Sequence, residues 1–219
     1  TKLILEEIMI EKKQMKLIEL LSSKLCHDLI SPVGAINNGL EFMEEEITDL
    51  NREALELVRK SSSQVAQKLA YYRISLGTAG SEDFIQYEVI TDLINNLFLE
   101  KNLSVTWSGV NFAEAHINKF IGKLLLNLAI ISFDAITKNG RVEITLANDV
   151  TMPDIIISVG DKNCSLHKEI KTVLQSDTSE ELLTVRNILG FHCKKLAMAC
   201  SKKIEIRQHT KDNILFKVT

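Results

Sequence analysis

The chain has 219 residues, 45% of them hydrophobic, enough to bury a sizeable core in one large domain or two modest ones. Lysine and arginine number 26 against 29 aspartates and glutamates, and a formal net charge of −3 excludes the broad basic footprint of a nucleic-acid binder and a polybasic membrane anchor. Its longest uncharged runs, Leu29–Leu40 and Asn102–Ala113, contain polar residues and fall short of the roughly 18 apolar residues a membrane span needs. Proteins are therefore the expected partners.

No signal peptide is read ahead of the first helix. Four cysteines, Cys26, Cys164, Cys193 and Cys200, form no C-x-x-C pair, and two lie in strongly helical segments, which points to reduced thiols in a cytoplasmic protein. Cys164-x-x-His167 lacks the second ligand pair of a structural metal site, so no metal is assigned to it.

The first helix carries an apolar stripe through Ile18, Leu21, Leu25, Leu29, Ile36, Leu40, Met43 and Ile47, widened by Val33 and Phe42. The charged segment Glu6–Lys16 frays from it or extends it. A turn follows near Ile47–Asn51, where Thr48, Asp49 and Asn51 offer N-cap oxygens. In the second helix Leu55, Val58, Ser62, Val65, Leu69, Tyr72 and Leu76 recur at alternating three- and four-residue steps, the seam of a bundle. These helices predict an antiparallel hairpin over residues 1–77. One hairpin cannot enclose its own seam, and a second copy across a two-fold axis would complete a four-helix bundle, so a homodimer is expected.

The polar cluster Gly77-Thr78-Ala79-Gly80-Ser81 ends the hairpin. From 81 to 219 the pattern predicts an α/β sandwich, and the whole chain reads as an α+β protein of two domains. Strands are expected at Phe84–Val89, Leu103–Ser108, Val142–Leu146, Ile155–Val159, Lys203–Gln208 and Ile214–Val218. Helices are expected up to Leu99, from Ala115 to Thr137, across Leu166–Leu174 and from Ser179 to Cys200.

In the first helix a proline and two glycines interrupt an otherwise helical run, Cys26-His27-Asp28-Leu29-Ile30-Ser31-Pro32-Val33-Gly34-Ala35-Ile36-Asn37-Asn38-Gly39-Leu40, at a cost in stability. On a helical wheel His27 points away from Leu25 and Leu29 and shares a solvated face with Lys24, Ser31, Gly34 and Asn38. The small side chains of Ser31 and Gly34 leave room for a partner to approach the imidazole, and Pro32 favours a bend. His27 is the candidate nucleophile, through one neutral ring nitrogen, and Asp28 can hold its tautomer or accept a proton. Lys24, Ser31, Gly34 and Asn38 are the candidate partner-binding residues.

The segment His27-Asp28-Leu29-Ile30-Ser31-Pro32-Val33-Gly34-Ala35-Ile36-Asn37-Asn38-Gly39-Leu40-Glu41 resembles the H-box of histidine kinases, and more closely the motif of ChpT-type histidine phosphotransferases. The resemblance extends over nearly all of the chain. It implies a dimerising hairpin followed by a kinase-like, Bergerat-type domain, with His27 as phosphoacceptor. It further implies that phosphoryl groups come from the receiver domain of a hybrid histidine kinase and pass to response regulators.

Residues Lys123–Ile136 look like the N-box of kinase ATP-binding domains, but Ile131 stands where a second asparagine, four residues after Asn127, would help to coordinate Mg²⁺. After strand Ile155–Val159 the expected D-x-G-x-G turn reads Asp161-Lys162-Asn163-Cys164-Ser165, without either glycine. The phosphate loop before the last long helix, Asn187-Ile188-Leu189-Gly190-Phe191, has a single glycine. The second domain is accordingly expected to keep the kinase fold without binding ATP, and the chain to bind no cofactor, the Mg²⁺ being supplied by the receiver domain. An ATP-dependent kinase core and a non-catalytic docking dimer are the alternatives. His116, His167, His192 and His209 share no ligand spacing and are assigned no catalytic role.

Overall fold

The computed structural model describes residues 2–44, 50–78, 83–109, 116–137, 140–162, 164–210 and 212–219. The expected cap residues Thr48 and Asp49, and Asn163 of the altered turn, lie outside these residues. Contacts divide the chain into two units, 1–73 and 74–219.

The first unit is two helices, α1 (Lys2–Glu44) and α2 (Leu50–Ser75). The charged segment extends α1, which runs through Pro32 without interruption. The helices are antiparallel: Asp28 is bonded to Lys68 and Tyr72, whereas Gly39, further along α1, meets Ala54 and Val58, earlier on α2. Gly39 is buried, and a Cβ there would come within 2.6 Å of Val58 Cγ2 and 3.1 Å of the Ala54 carbonyl oxygen. Glycine at this position is what lets the two backbones approach.

The inward face of α2 differs from the expected stripe. Ala54, Ser61, Tyr71 and Tyr72 are buried and Val58 and Val65 partly covered, but Leu55, Ser62 and Leu69 are exposed, as are Ile18, Val33, Leu40 and Phe42 of α1. The two lines on α2 lie one residue apart, about 100° around the helix. The small residues Ala54 and Ser61 permit a close helix contact, and the bulkier heptad line of Leu55 and Leu69 faces outward.

The second unit contains β1 (Phe84–Gln86), α3 (Tyr87–Leu99), β2 (Val105–Gly109), β3 (His116–Asn118), α4 (Lys119–Ala135), β4 (Arg141–Ala147), β5 (Asp154–Gly160), α5 (Lys168–Gln175), α6 (Ile188–Ala199), β6 (Ile204–Thr210) and β7 (Asn213–Val218). Strands β2-β4-β5-β7-β6 form one sheet, with β2 and β4 parallel and the other pairs antiparallel; β1 and β3 form a separate antiparallel pair. Alternate residues of β4, β5 and β7 are buried, and in register they make two ladders: Val142–Val159–Ile214 and Ile144–Ile157–Phe216. One sheet face therefore supplies the core, and helices cover it. Helix α4 packs against α3, α6 and β5 and is buried at nearly every position from Ile121 to Ser132, so it is apolar around its whole circumference rather than along one stripe.

Three element boundaries depart from the sequence reading by three residues or more. The strand expected to reach Val89 stops at Gln86, and α3 begins at Tyr87. The helix expected from Ala115 starts at Lys119, because Asn118 caps it by accepting from the Phe120 amide at 2.9 Å, and His116–Asn118 pair with β1 instead. The single helix expected over Ser179–Cys200 is a 3₁₀ turn, Glu180–Leu182, followed by α6. Between them the Asn187 side chain accepts from the Thr184 amide at 2.8 Å and donates to the Leu182 carbonyl at 3.2 Å, satisfying backbone groups that a continuous helix would have paired internally.

Candidate active site

His27 projects from the middle of α1 with 80% of its side chain exposed, while Asp28, one residue on, turns toward α2 and is 14% exposed. Adjacent residues on a helix diverge by about 100°. The Asp28 side chain nevertheless reaches back, and its Oδ1 lies 3.4 Å from His27 Nδ1, at the long end of hydrogen-bond range.

Asp28 is held from several directions. Lys24, one turn earlier on α1, donates to Oδ1 at 2.9 Å, and the Tyr72 hydroxyl of α2 donates to Oδ2. Lys68, one turn before Tyr72, donates to the Asp28 main-chain oxygen at 3.2 Å. Burial would raise the Asp28 pKa, but the hydrogen bonds from Lys24 and Tyr72, the Lys24 charge and the His27 contact together carry it below the ordinary carboxylate value. These contacts favour the ionised form of the Asp28 carboxylate.

The Lys68 contact explains how a proline is tolerated in the centre of a long helix. Pro32 has no N–H to donate to the carbonyl four residues earlier, which is that of Asp28. The ammonium of Lys68 takes the vacant place. A break in the α1 ladder has become a bond between the two helices, beside the candidate nucleophile.

Of the other residues expected on this face, Ser31 and Asn38 are exposed, and a Cβ on Gly34 would meet nothing within 4 Å. The surface flanking His27 is open. Lys24 sits differently: its side chain is 16% exposed and its ammonium turns to Asp28. Lys68 and Tyr72 were not expected at the site. The available signal was Pro32, which requires that some donor satisfy the Asp28 carbonyl; the cross-helix register that selects Lys68 is not written in either helix alone.

In the second unit, the residues at the kinase-motif positions are engaged within the fold. Asn127 is fully buried, and its amide donates to the Ser75 carbonyl at 3.0 Å and the Lys123 carbonyl at 2.8 Å; Lys123 in turn donates to the Gly77 carbonyl at 2.5 Å. Ile131 is 2% exposed. Asp161 Oδ2 accepts from both the amide, at 2.7 Å, and the hydroxyl of Thr137. Gly190 lies inside α6 rather than in a loop.

Cys164 is buried, and desolvation pushes its thiol up to about 11. His167 caps α5, accepting from the Glu169 amide at 3.4 Å. Among the described residues no group of three or more His, Cys, Asp or Glu side chains could hold a metal ion, and no helix is long and apolar enough to cross a membrane.

Comparison with known proteins identifies the family of the chain. The chain is 31% identical over 199 residues to the protein phosphotransferase ChpT of Brucella abortus (strain 2308), covering 90% of this chain and 92% of that protein. It superposes on a solved bacterial phosphotransferase with a TM-score of 0.82 at 29% identity, covering 94% of this chain and 96% of the other. A chain from the crystal structure of histidine kinase ThkA in complex with the response regulator protein TrrA matches with a TM-score of 0.51 at 15% identity, over 100% of this chain and 66% of that one, a likeness of fold. Residues 88–212, more than half of the sequence, match the family model of the histidine phosphotransferase C-terminal domain. With a family match of that extent in the second unit and a full-length relative above 30% identity, the chain belongs to the histidine phosphotransferases.

Proposed function

We propose that the chain is a cytoplasmic phosphorelay protein that accepts a phosphoryl group on His27 from the receiver-domain aspartate of a hybrid histidine kinase and passes it to response-regulator aspartates. The observation that carries this reading is the division of labour at the imidazole. Nδ1 faces the Asp28 carboxylate, which favours a proton there, and this leaves the Nε2 lone pair free on an open surface. In the Nδ1–H tautomer, in-line attack by Nε2 needs no general base of its own. The charge on the transferring group would be neutralised at the receiver's own metal site.

This reading needs no ATP. The Asn127 amide is committed to two main-chain carbonyls, Ile131 offers no oxygen ligand and Asp161 is occupied by Thr137, which supports a domain that keeps the kinase fold for holding partners. The outward-facing Leu40, Leu55 and Leu69 support a homodimer in which two hairpins make a four-helix bundle, burying side chains that are 47%, 54% and 51% exposed in a single chain.

The test mixes a labelled, phosphorylated receiver with the wild-type chain and with His27→Gln, beside a control containing only Mg-ATP. Acid-labile label on the wild type alone, taken from the receiver, is expected. Label taken from ATP would make the chain a kinase, and no transfer from any competent receiver would reduce it to a docking dimer.

A further inference from the structure

Lys68 and Tyr72 lie four residues apart on α2, on one face of the helix, and both bond to one residue of α1. Lys68 holds the Asp28 main-chain oxygen at 3.2 Å and Tyr72 holds Oδ2, leaving Oδ1 to Lys24 and His27 Nδ1. We infer that Lys68 and Tyr72 form a two-point clamp that fixes the Asp28 carboxylate and thereby sets the ring tautomer of His27, making both positioning residues for phosphoryl transfer. This rests on the relay reading for its consequence in rate, but not for its consequence in the tautomer.

The clamp is needed because Asp28 has a competing arrangement. Lys24 presents three N–H donors, and a carboxylate released from Tyr72 can rotate to offer both oxygens to that ammonium. Its contact with His27 Nδ1 is already the longest of the set, and it would be lost first. An imidazole without an acceptor at Nδ1 prefers its proton on Nε2, where the lone pair required for attack disappears. Tyr72 is buried and lies edge-on to Tyr71, with ring centroids 6.4 Å apart, so its hydroxyl is delivered from a fixed position.

The transfer step shows what the tautomer controls. The Nε2 lone pair forms the N–P bond while the P–O bond of the receiver's acyl phosphate breaks, and the aspartate leaves with that electron pair. The ring retains its Nδ1 proton and becomes a cation opposite the Asp28 carboxylate. On the return step an acceptor carboxylate attacks phosphorus and the N–P electron pair goes back to Nε2, easily because the leaving ring is cationic. A ring that begins with its proton on Nε2 cannot attack through that nitrogen until the proton moves.

The experiment uses the full chain with ¹⁵N-labelled histidine. Ring-nitrogen spectra, assigned with His27→Gln, give the tautomer above the range in which the imidazole is charged, and single-turnover transfer from a phosphorylated receiver gives the rate. Tyr72→Phe keeps the ring and removes only the hydroxyl; it is expected to move His27 from mainly Nδ1–H to mainly Nε2–H and to slow transfer roughly tenfold or more, as loss of an orienting partner does. Lys68→Met, which acts through the main chain, is expected to shift the tautomer in the same direction and decides the matter should Tyr72→Phe not fold. Because both act through Asp28, Tyr72→Phe combined with Asp28→Asn should be no slower than Asp28→Asn alone. A tautomer unchanged in the folded variants, or a double variant in which the two losses multiply, overturns the clamp. A shifted tautomer in a protein whose wild type accepts no label would uphold the clamp and overturn the relay.

Discussion

His192 offers a pH test of the second unit that is independent of the relay. It lies on α6 near Lys123 of α4, and its Nε2 is buried without a hydrogen-bond partner among the described residues. Desolvation, aided by the Lys123 charge, pulls its pKa from 6.5 down to about 4. The sign follows from linkage. Below the ordinary histidine value the unfolded chain binds a proton that the folded chain refuses, so acid favours unfolding. The stability present above 6.5 is lost progressively as pH falls toward about 4, where the folded state also takes the proton. From about pH 7.5 to about pH 5 the loss works out at about 2 kcal/mol, and with complete protonation at about 3 kcal/mol. Trp107, the sole tryptophan, sits in β2 of the same unit, hydrogen-bonded to Asn95 at 3.0 Å, so its fluorescence reports this unit during urea unfolding at fixed protein concentration. His192→Phe removes the titrating group and should remove about 2 kcal/mol of that pH dependence. If the wild type and His192→Phe lose the same stability between these pH values, the burial argument is wrong.

Two further predictions concern packing. Gly39→Ala should destabilise the hairpin by about 1–2 kcal/mol, the overpacking against Val58 exceeding the helix-propensity gain. Val58→Ala in the same chain should recover part of that loss, measured as a non-additive double-mutant cycle by thermal unfolding. Asn127→Ala, which removes the side-chain donor to the Ser75 carbonyl, should cost about 1–3 kcal/mol in denaturant unfolding while leaving the response to added Mg-ATP unchanged; a nucleotide-dependent stabilisation that disappears in this variant would mean that Asn127 still serves a ligand.

The sheet was legible because its strands alternate. Val142–Leu146 and Ile155–Val159 were each placed to within one residue of β4 and β5, since period-two burial leaves one register that hides every aliphatic side chain. Helix starts were less legible, because the deciding bonds belong to side chains: Asn118 looks like an ordinary helical residue until its oxygen is seen on the Phe120 amide, and Asn187 until it is seen holding Thr184 and Leu182. In the hairpin the heptad pattern was real, but periodicity alone does not say which of two adjacent lines faces the neighbouring helix and which faces away. Ser62, the polar exception in the expected seam, lies on the exposed line beside Leu55 and Leu69. The expectation of a site at His27 and Asp28 rests on a contiguous motif, whereas Lys68 and Tyr72, which bond to Asp28 from the other helix, could be found only once the hairpin had closed.

The proline in α1 also guards against a particular folding error. Two amphipathic helices with apolar residues every seven positions can slide past each other by a heptad and still find greasy contacts, so such hairpins have poorly separated alternatives. Here one carbonyl in the middle of α1 has no donor of its own, and one lysine on α2 reaches it. A slipped hairpin would leave that oxygen unsatisfied against a partly covered helix face and would also bring Val58 away from the space cleared by Gly39. The interruption that weakens the isolated helix thus makes the correct alignment the one in which the defect is repaired.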